Sequence, residues 1–366
     1  MDQKTANVQD GRRREPRQKK KKRKIRKPLV AAVLVLVAVV LLIAANMAGA
    51  FSKDKEVDFR VRPGDGTVAI AKRLDDEGII RSSLLFQAVS RFSGADRQWD
   101  YGIHTIAAHS SYQEIIEELT SPQTASIKVT LPEGKQVVQM ATILEEKGIC
   151  KKKEFMKACT EKSYDNWTFL KGIPTKKRID GLEGYLFPDT YYFEKDTDPD
   201  FVIQTMLHRF EEKVYTEKVR KQAKDMGFSV DEIVILASMA ESEAVTKADR
   251  KTVSGVFLNR LEKKDKLQSC VTVEYAKRMK KTIISLEDTK YDSPYNTYMY
   301  AGLPFGPICC PGMESINAVL YNEDNDYYYF QSDESGQLHF AKTYQEHVRI
   351  QKEVQKDWEV KETKIE

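Results

Sequence analysis

The sequence predicts an α+β protein held behind one membrane-spanning helix. Three observations predict it. An uncharged run of 23 residues lies near the N-terminus, a strand–helix–helix pattern occurs twice at an offset of 70 residues, and a long, mainly helical remainder ends in a β-hairpin pattern. At 366 residues the chain has room for one span and about two domains of roughly 100–200 residues each.

The elements follow in chain order. Residues 1–28 are polar and charged, and read as a disordered tail. Arg12–Lys27 carries twelve basic residues against one acid. Leu29–Phe51 has no charge over 23 residues, close to the ~20 needed to cross a ~30 Å hydrocarbon layer and longer than a ~7–15-residue signal-peptide core. Small residues at Ala48–Ala50 leave cleavage of a leader as the alternative. The basic flank precedes the span, so the N-terminus is expected in the cytoplasm and everything after Lys53 outside the cell membrane, in a single pass. In that position the basic tail suits anionic lipid rather than nucleic acid.

After a short linker, Gly64–Ile80 aligns with Gly134–Cys150: Val68 meets Val138, Leu74 meets Leu144, and Gly78 meets Gly148. Each copy has an alternating strand, a proline–glycine turn, an amphipathic helix ended by glycine, and a second helix. Two copies are too few for a solenoid. They predict two small βαα modules, within 52–122 and at 126–160, the second opening the larger domain, 123–366.

From Pro199 the periodicity is helical. One helical stretch runs to Gly227, another starts at the capping signal Ser229 and passes Glu241, and a third covers Lys247–Lys264. Ser293–Gly312, rich in Pro, Gly, Asn and Tyr, predicts an ordered loop. Asp326–Thr343 reads as a hairpin turning at Glu334–Gly336. Five cysteines, an odd number without a C-x-x-C, argue against a full disulfide framework and for free thiols. With no H-e-x-x-H spacing, neither a zinc site nor a cofactor is expected.

The candidate catalytic residue is Glu241, where the uncharged stretch Ile233–Ala240 ends. It shares a helical face with Val234, Ala237 and Ser238, and the small residues Ala237, Ser238 and Ala240 leave room for an approaching group. Glu243 lies roughly 200° around the helix and cannot pair with it. The plain alternative is the ordinary end of a buried stripe. A working carboxyl beside apolar surface would be held protonated and could donate to a glycosidic oxygen. Glycosidases use a second carboxylate. None stands at a fixed helical spacing, and Asp189 or Asp292 could approach only through the fold. One acid suits a sugar that attacks itself, as when the C6 hydroxyl of N-acetylmuramic acid closes on C1 to give a 1,6-anhydro ring.

From about Leu131 onward the chain resembles the endolytic murein transglycosylases, the YceG-like (MltG) family. The motifs are LEGYLFPDTYYF (Leu182–Phe193), ILASMAESEA (Ile235–Ala244), VSGVFLNRL (Val253–Leu261), KLQSCVTVEYA (Lys266–Ala276), the loop from Ser293 to Leu320, and Tyr327–His347. The resemblance implies one cytoplasmic tail, one span, an external LysM-like module at 52–122 and a transglycosylase domain at 123–366. It implies that Glu241 is catalytic, protonating the glycosidic oxygen and then assisting the C6 hydroxyl. Nascent glycan strands are the expected substrate, peptidoglycan synthases (penicillin-binding proteins) the expected partners, and termination of glycan elongation the expected role. Where the family often has Asp-Pro or Asp-Ala after LQS, this chain has Cys270-Val271, which weakens any substrate role at Cys270.

Candidate substrate-binding residues are Tyr185, Asp189, Asn259, Gln268, Tyr295, Asn296, Thr297 and Tyr298. Aromatic faces suit sugar rings, while amides and hydroxyls suit N-acetyl groups. For each a structural role stands beside the binding one: a core tyrosine at Tyr185, an Asx turn at Asn296. Two other functions remain open, a water-using muramidase on the same site and a non-catalytic wall-binding scaffold.

Overall fold

A computed structural model gives the architecture. It describes residues 26–50, 53–62, 65–95, 98–121, 127–281, 283–354 and 362–364. The basic tail up to Ile25 and the first repeat's Gly64 lie outside these residues. Helix α1 (Arg26–Met47) carries the apolar run, with Leu34 and Leu41 among its exposed side chains. The side chains at 26–30 and 32 are outside the described set, and among the described residues no helix is long and apolar enough to cross a membrane.

The two repeat copies fold alike. The first comprises β1 (Val57–Val61), α2 (Thr67–Asp76), α3 (Ser83–Ser93), β2 (Gly102–Ile106) and α4 (Tyr112–Thr120). The second comprises β3 (Ile127–Thr130), α5 (Val137–Glu146), α6 (Lys152–Glu161) and β4 (Thr190–Phe193). Gly78 and Gly148 end their helices at φ +70° and +72°, a left-handed turn that glycine adopts without steric cost. The next residues close matching turns: Ile79 N–H donates to the Leu74 carbonyl at 2.8 Å, and Ile149 N–H to Leu144 at 2.9 Å. The copies extend beyond the expected strand–helix–helix unit. Each closes its sheet with a later antiparallel strand, β2 on β1 and β4 on β3, with Val57 opposite Ile106 and Thr130 opposite Thr190. The second closing strand arrives only after residues 162–189, too far along for a local pattern to reveal.

The remainder comprises α7 (Pro199–Lys213), α8 (Glu217–Asp225), α9 (Val230–Glu243), α10 (Lys247–Glu262), α11 (Cys270–Lys277), β5 (Met279–Lys281), α12 (Met313–Leu320), β6 (Tyr329–Ser332), β7 (Leu338–Ala341), α13 (Tyr344–Val354) and β8 (Glu362–Lys364). The stretch expected as continuous helix from Pro199 to Gly227 breaks at Val214–Thr216. There the Thr216 hydroxyl accepts the Val219 N–H, and capping a new helix wins over extending the old one. The Ser229 capping box, the hairpin β6–β7 and the irregular loop before α12 stand where the pattern predicts. All five cysteines are unpaired.

Among the described residues there are two apolar cores. One gathers Phe59, Leu74, Phe86 and Leu119 around the first module. The other runs from Val129 through Phe155, Tyr185, Phe210 and Leu236 to Leu338. A cavity of about 280 Å³ opens where they meet, lined by Arg60, Tyr101, Tyr192 and Phe201 among others. At the centre of the second core, α9 is buried on every side from Ile233 to Ala240, with α8, α10, α11 and α12 packed around it.

Candidate active site

Glu241 sits on the last turn of α9, at the edge of that core. Its Oε1 lies 2.7 Å from Nη2 of Arg250 on α10. Its Oε2 accepts the Ser315 hydroxyl of α12 at 2.6 Å and the Gly312 N–H at 3.2 Å. The Glu241 side chain is 4% exposed and that of Arg250 12%. The open apolar surface expected beside Glu241 is therefore replaced by donors from two neighbouring helices. The small-residue face of α9 is filled as well. Ser238 receives the Ile308 N–H on its hydroxyl at 3.1 Å, and its carbonyl accepts the Cys309 thiol at 3.3 Å. The approaching group is the chain's own loop.

That loop also brings in a residue the sequence reading missed. Gly134 N–H donates to the Cys310 carbonyl, and Cys310 N–H to the Lys135 carbonyl, both at 3.0 Å. This backbone pair ties the Leu131–Lys135 turn to the approach of α12. A β-carbon added at Gly312 would lie 1.9 Å from Cδ of Glu133, and one added at Gly134 would lie 3.3 Å from Cγ of Glu241. The carboxyls of Glu133 and Glu241 thus flank the same glycine. Partial burial, then the charge of Glu241, raises the Glu133 pKa above the ordinary carboxylate value. One signal was present in the sequence: at the repeat offset Glu133 faces Pro63, so the acid belongs to the second copy alone. Arg250 and Ser315 gave no comparable signal, being ordinary helix residues until the fold gathers them.

The turn is held from below. Both carboxylate oxygens of the buried Glu183 accept the Val137 N–H that starts α5, at 3.1 and 3.2 Å. Burial, then the neighbouring charge of Asp180, drives the Glu183 pKa well above its ordinary value. Arg278 pairs with Asp180 at 2.5 Å. The LEGYLF motif thereby positions the Glu133 turn from inside the core.

Glu243 faces the other way, as helical geometry requires. It accepts the Ser269 hydroxyl at 2.5 Å, and burial raises its pKa to about 7. Asp189 ends the turn before β4: its Oδ2 is 2.7 Å from Nε of Arg209 and its carbonyl accepts the Leu131 N–H, close enough for its charge to act on Glu133. The other candidates hold structure. Tyr185 is buried and donates its hydroxyl to Asp231. Asn259 donates to the Asn325 and Tyr327 carbonyls at 2.8 and 3.0 Å. Gln268 is exposed, at φ +51°, and accepts from Arg260 at 3.3 Å. Tyr295 lies within the core against Tyr275. Asn296 makes an Asx turn to the Tyr298 N–H at 2.9 Å and donates to the Thr289 and Tyr291 carbonyls. Thr297 accepts the Ser269 N–H at 3.0 Å, and the Tyr298 hydroxyl meets Cys270 Sγ at 3.1 Å. The tetrad Tyr295–Tyr298 therefore braces the Ser269 side of α9, where Glu243 lies. Asp292 holds the Tyr300 hydroxyl at 2.7 Å.

The family model described as the YceG-like family matches residues 59–353. A Bacillus subtilis protein named endolytic murein transglycosylase is 33% identical over 300 residues, spanning 80% of this chain and 82% of its own length. A Streptococcus pneumoniae protein of the same name is 28% identical over 320 residues, and the match spans 58% of its length. A crystal structure of a putative YceG-like protein from Listeria monocytogenes superposes with TM-score 0.56 at 28% identity, covering 81% of this chain and all of that one. The chain belongs to the YceG-like family.

Proposed function

We propose that this chain is a membrane-anchored endolytic lytic transglycosylase that cuts the N-acetylmuramic acid–N-acetylglucosamine linkage of nascent peptidoglycan strands, leaves 1,6-anhydro ends, and so terminates glycan elongation. The observation that carries the reading is Glu241 itself. It is a carboxyl in a lining of donors contributed by Arg250, Gly312 and Ser315, on the helix that carries the family's acid. The relatives' shared name supports the substrate class and the cleavage within strands. The apolar run Leu29–Phe51 behind twelve basic residues supports a single anchor with the catalytic domain outside the cell membrane and the tail on anionic lipid. The first module would act as a LysM-like glycan holder or as a spacer. Penicillin-binding proteins that extend the strand are the natural partners.

Product analysis tests this. The full chain is incubated with purified, uncrosslinked strands and the new ends are identified by mass spectrometry. Anhydro ends from the wild type and none from Glu241→Gln are expected. Reducing ends would overturn the chemistry, and a fully active Glu241→Gln variant would overturn the residue. One observation favours a second reading, hydrolysis: Glu133 provides a carboxyl beside Glu241, and hydrolytic glycosidases use such pairs. The same product analysis separates the two.

A further inference from the structure

The cavity of about 280 Å³ where the two cores meet is lined by neither Glu241 nor its donors. One wall is β4 and the loop after it. One step beyond Thr130 and Thr190 in the β3–β4 register, the Leu131 N–H donates to the Asp189 carbonyl directly opposite. That is a hydrogen-bonded pair, so by alternation the backbone groups of Thr190 and Tyr192 point away from β3. The Thr190 N–H accordingly turns to the Asp189 carboxylate, at 2.7 Å. Tyr192 presents its N–H and carbonyl on the free edge of a two-stranded sheet, beside the cavity. Such an edge accepts an extended peptide as a further strand. The loop that follows is fixed: the Asp196 N–H donates to the Gly148 carbonyl at 3.0 Å, the Thr197 hydroxyl to the Glu194 carbonyl at 2.7 Å, and Asp198 caps α7. The opposite wall belongs to the first module, where the Arg60 guanidinium lies 5.8 Å from the centre of the Phe201 ring. Charges of both signs line the space, Arg60 and Lys195 against Glu194 and Asp196. None of these four side chains makes an ion pair or hydrogen bond to a described residue.

We propose that this cavity is the subsite for the peptide that N-acetylmuramic acid carries on its lactyl group, held along β4 and clamped between the first module and the catalytic domain. The identity of the ligand rests on the transglycosylase reading above. Distance fits it. β4 connects the two places: Asp189 is bonded to the turn that carries Glu133 beside Glu241, and Phe193, four residues further on, lines the cavity. At about 3.3 Å per residue that is roughly 13 Å. An extended peptide of about four residues covers the same span. A muramic acid seated at Glu241 therefore reaches the cavity with the far part of its own peptide. Charge fits it too. A peptide with a side-chain ammonium and carboxylates finds Glu194 and Asp196 for the first, Arg60 and Lys195 for the second. A strand stripped of its peptides offers no ammonium to the two acids. The first module then acts on the peptide of the substrate rather than on its sugars.

The test uses the full chain and two sets of uncrosslinked strands, one carrying peptides and one stripped of them by an amidase, with a soluble muramyl peptide as binding probe. kcat/KM on peptide-bearing strands should exceed that on stripped strands by about tenfold, through KM, as one charge-assisted hydrogen bond contributes. The double variant Glu194→Gln, Asp196→Asn and the variant Arg60→Ala should each bring that ratio close to one. Asparagine tolerates the left-handed backbone at residue 196, φ +55°, so the loop keeps its shape. A wild type that cleaves both strands equally well would overturn the proposal, and so would variants that keep the ratio. Variants weakened equally on both strands would overturn it as well, because a merely structural role, or a sugar in the cavity, gives that result. Binding is read apart from cleavage. In calorimetry the muramyl peptide should bind and N-acetylmuramic acid alone should not, with affinity about tenfold weaker in the variants. Equal binding of the two probes, or none, would overturn the subsite. A chain that releases no anhydro ends yet binds the muramyl peptide through these residues would defeat the transglycosylase reading while supporting the subsite.

Discussion

Replacing Gly312 with alanine separates any working role of Glu133 beside Glu241 from the stability of the fold. Gly312 precedes α12 at φ −79° and ψ 170°, a conformation any residue adopts, so the backbone accepts alanine unstrained. The new β-carbon would lie 1.9 Å from Cδ and Oε1 of Glu133 and 2.5 Å from Oε2. All three contacts are to the end of one flexible side chain, which must retreat by at least about 1 Å. The variant keeps the N–H that donates to Glu241. In the unfolded chain, alanine for glycine stabilises by about 0.4–1 kcal/mol. As a helix cap alanine is worse than glycine by a similar amount. Net stability should stay within about 1 kcal/mol of wild type. Displacing a catalytic group by about 1 Å typically costs about 100-fold, or roughly 2.7 kcal/mol in the barrier. The assay is release of chain ends from purified strands, measured beside thermal unfolding of the same sample. A folded Gly312→Ala variant with wild-type kcat/KM would refute a working role for Glu133 beside Glu241. Loss of activity accompanied by loss of the fold would refute the claim that the clash is local.

Two further outcomes follow from the same packing. Glu243 has its folded pKa raised from 4.5 to about 7 by burial, so its contribution to stability is complete below pH ~4.5 and is lost as pH rises through about 7. Between pH 5 and 8 wild type should lose about 2–3 kcal/mol more than Glu243→Gln in denaturant titrations, and equal slopes would refute the burial argument. Gly181→Ala should be damaging everywhere: φ is +61° and the added β-carbon would lie 2.0 Å from the Cys159 carbonyl oxygen, which is backbone and cannot swing away. A cost of about 3 kcal/mol, seen as a fall of roughly 6–12 °C in Tm, is expected, and an unchanged Tm would contradict it.

Local grammar carries much of this molecule. The repeat at an offset of 70 residues shows in sequence because each copy needs its own glycine at a left-handed helix end, Gly78 and Gly148, and its own apolar stripe. The Ser229 cap and the apolar run behind it predict α9 and place Glu241 at its end. The 3.6-residue turn separates Glu241 from Glu243 without any coordinates. Other features needed the fold. The strands closing the two small sheets come after intervening helices, so no periodicity marks their pairing. The tyrosine and asparagine motifs look like sugar binders by composition, yet Tyr185, Asn259 and Asn296 spend their polar atoms on the chain's own groups.

By itself, the sequence determined the helix, the carboxyl at its end and the family resemblance, because capping, periodicity and motif order are short-range properties. Only the tertiary structure decided the company that carboxyl keeps. Glu133, Arg250, Gly312 and Ser315 come from a turn, a helix, a loop end and a second helix, and their meeting at Glu241 depends on how α10, α12 and the Leu131–Lys135 turn dock around α9. Glu133 lies 108 positions before Glu241, where no helical spacing could reveal that the fold brings the two carboxyls together.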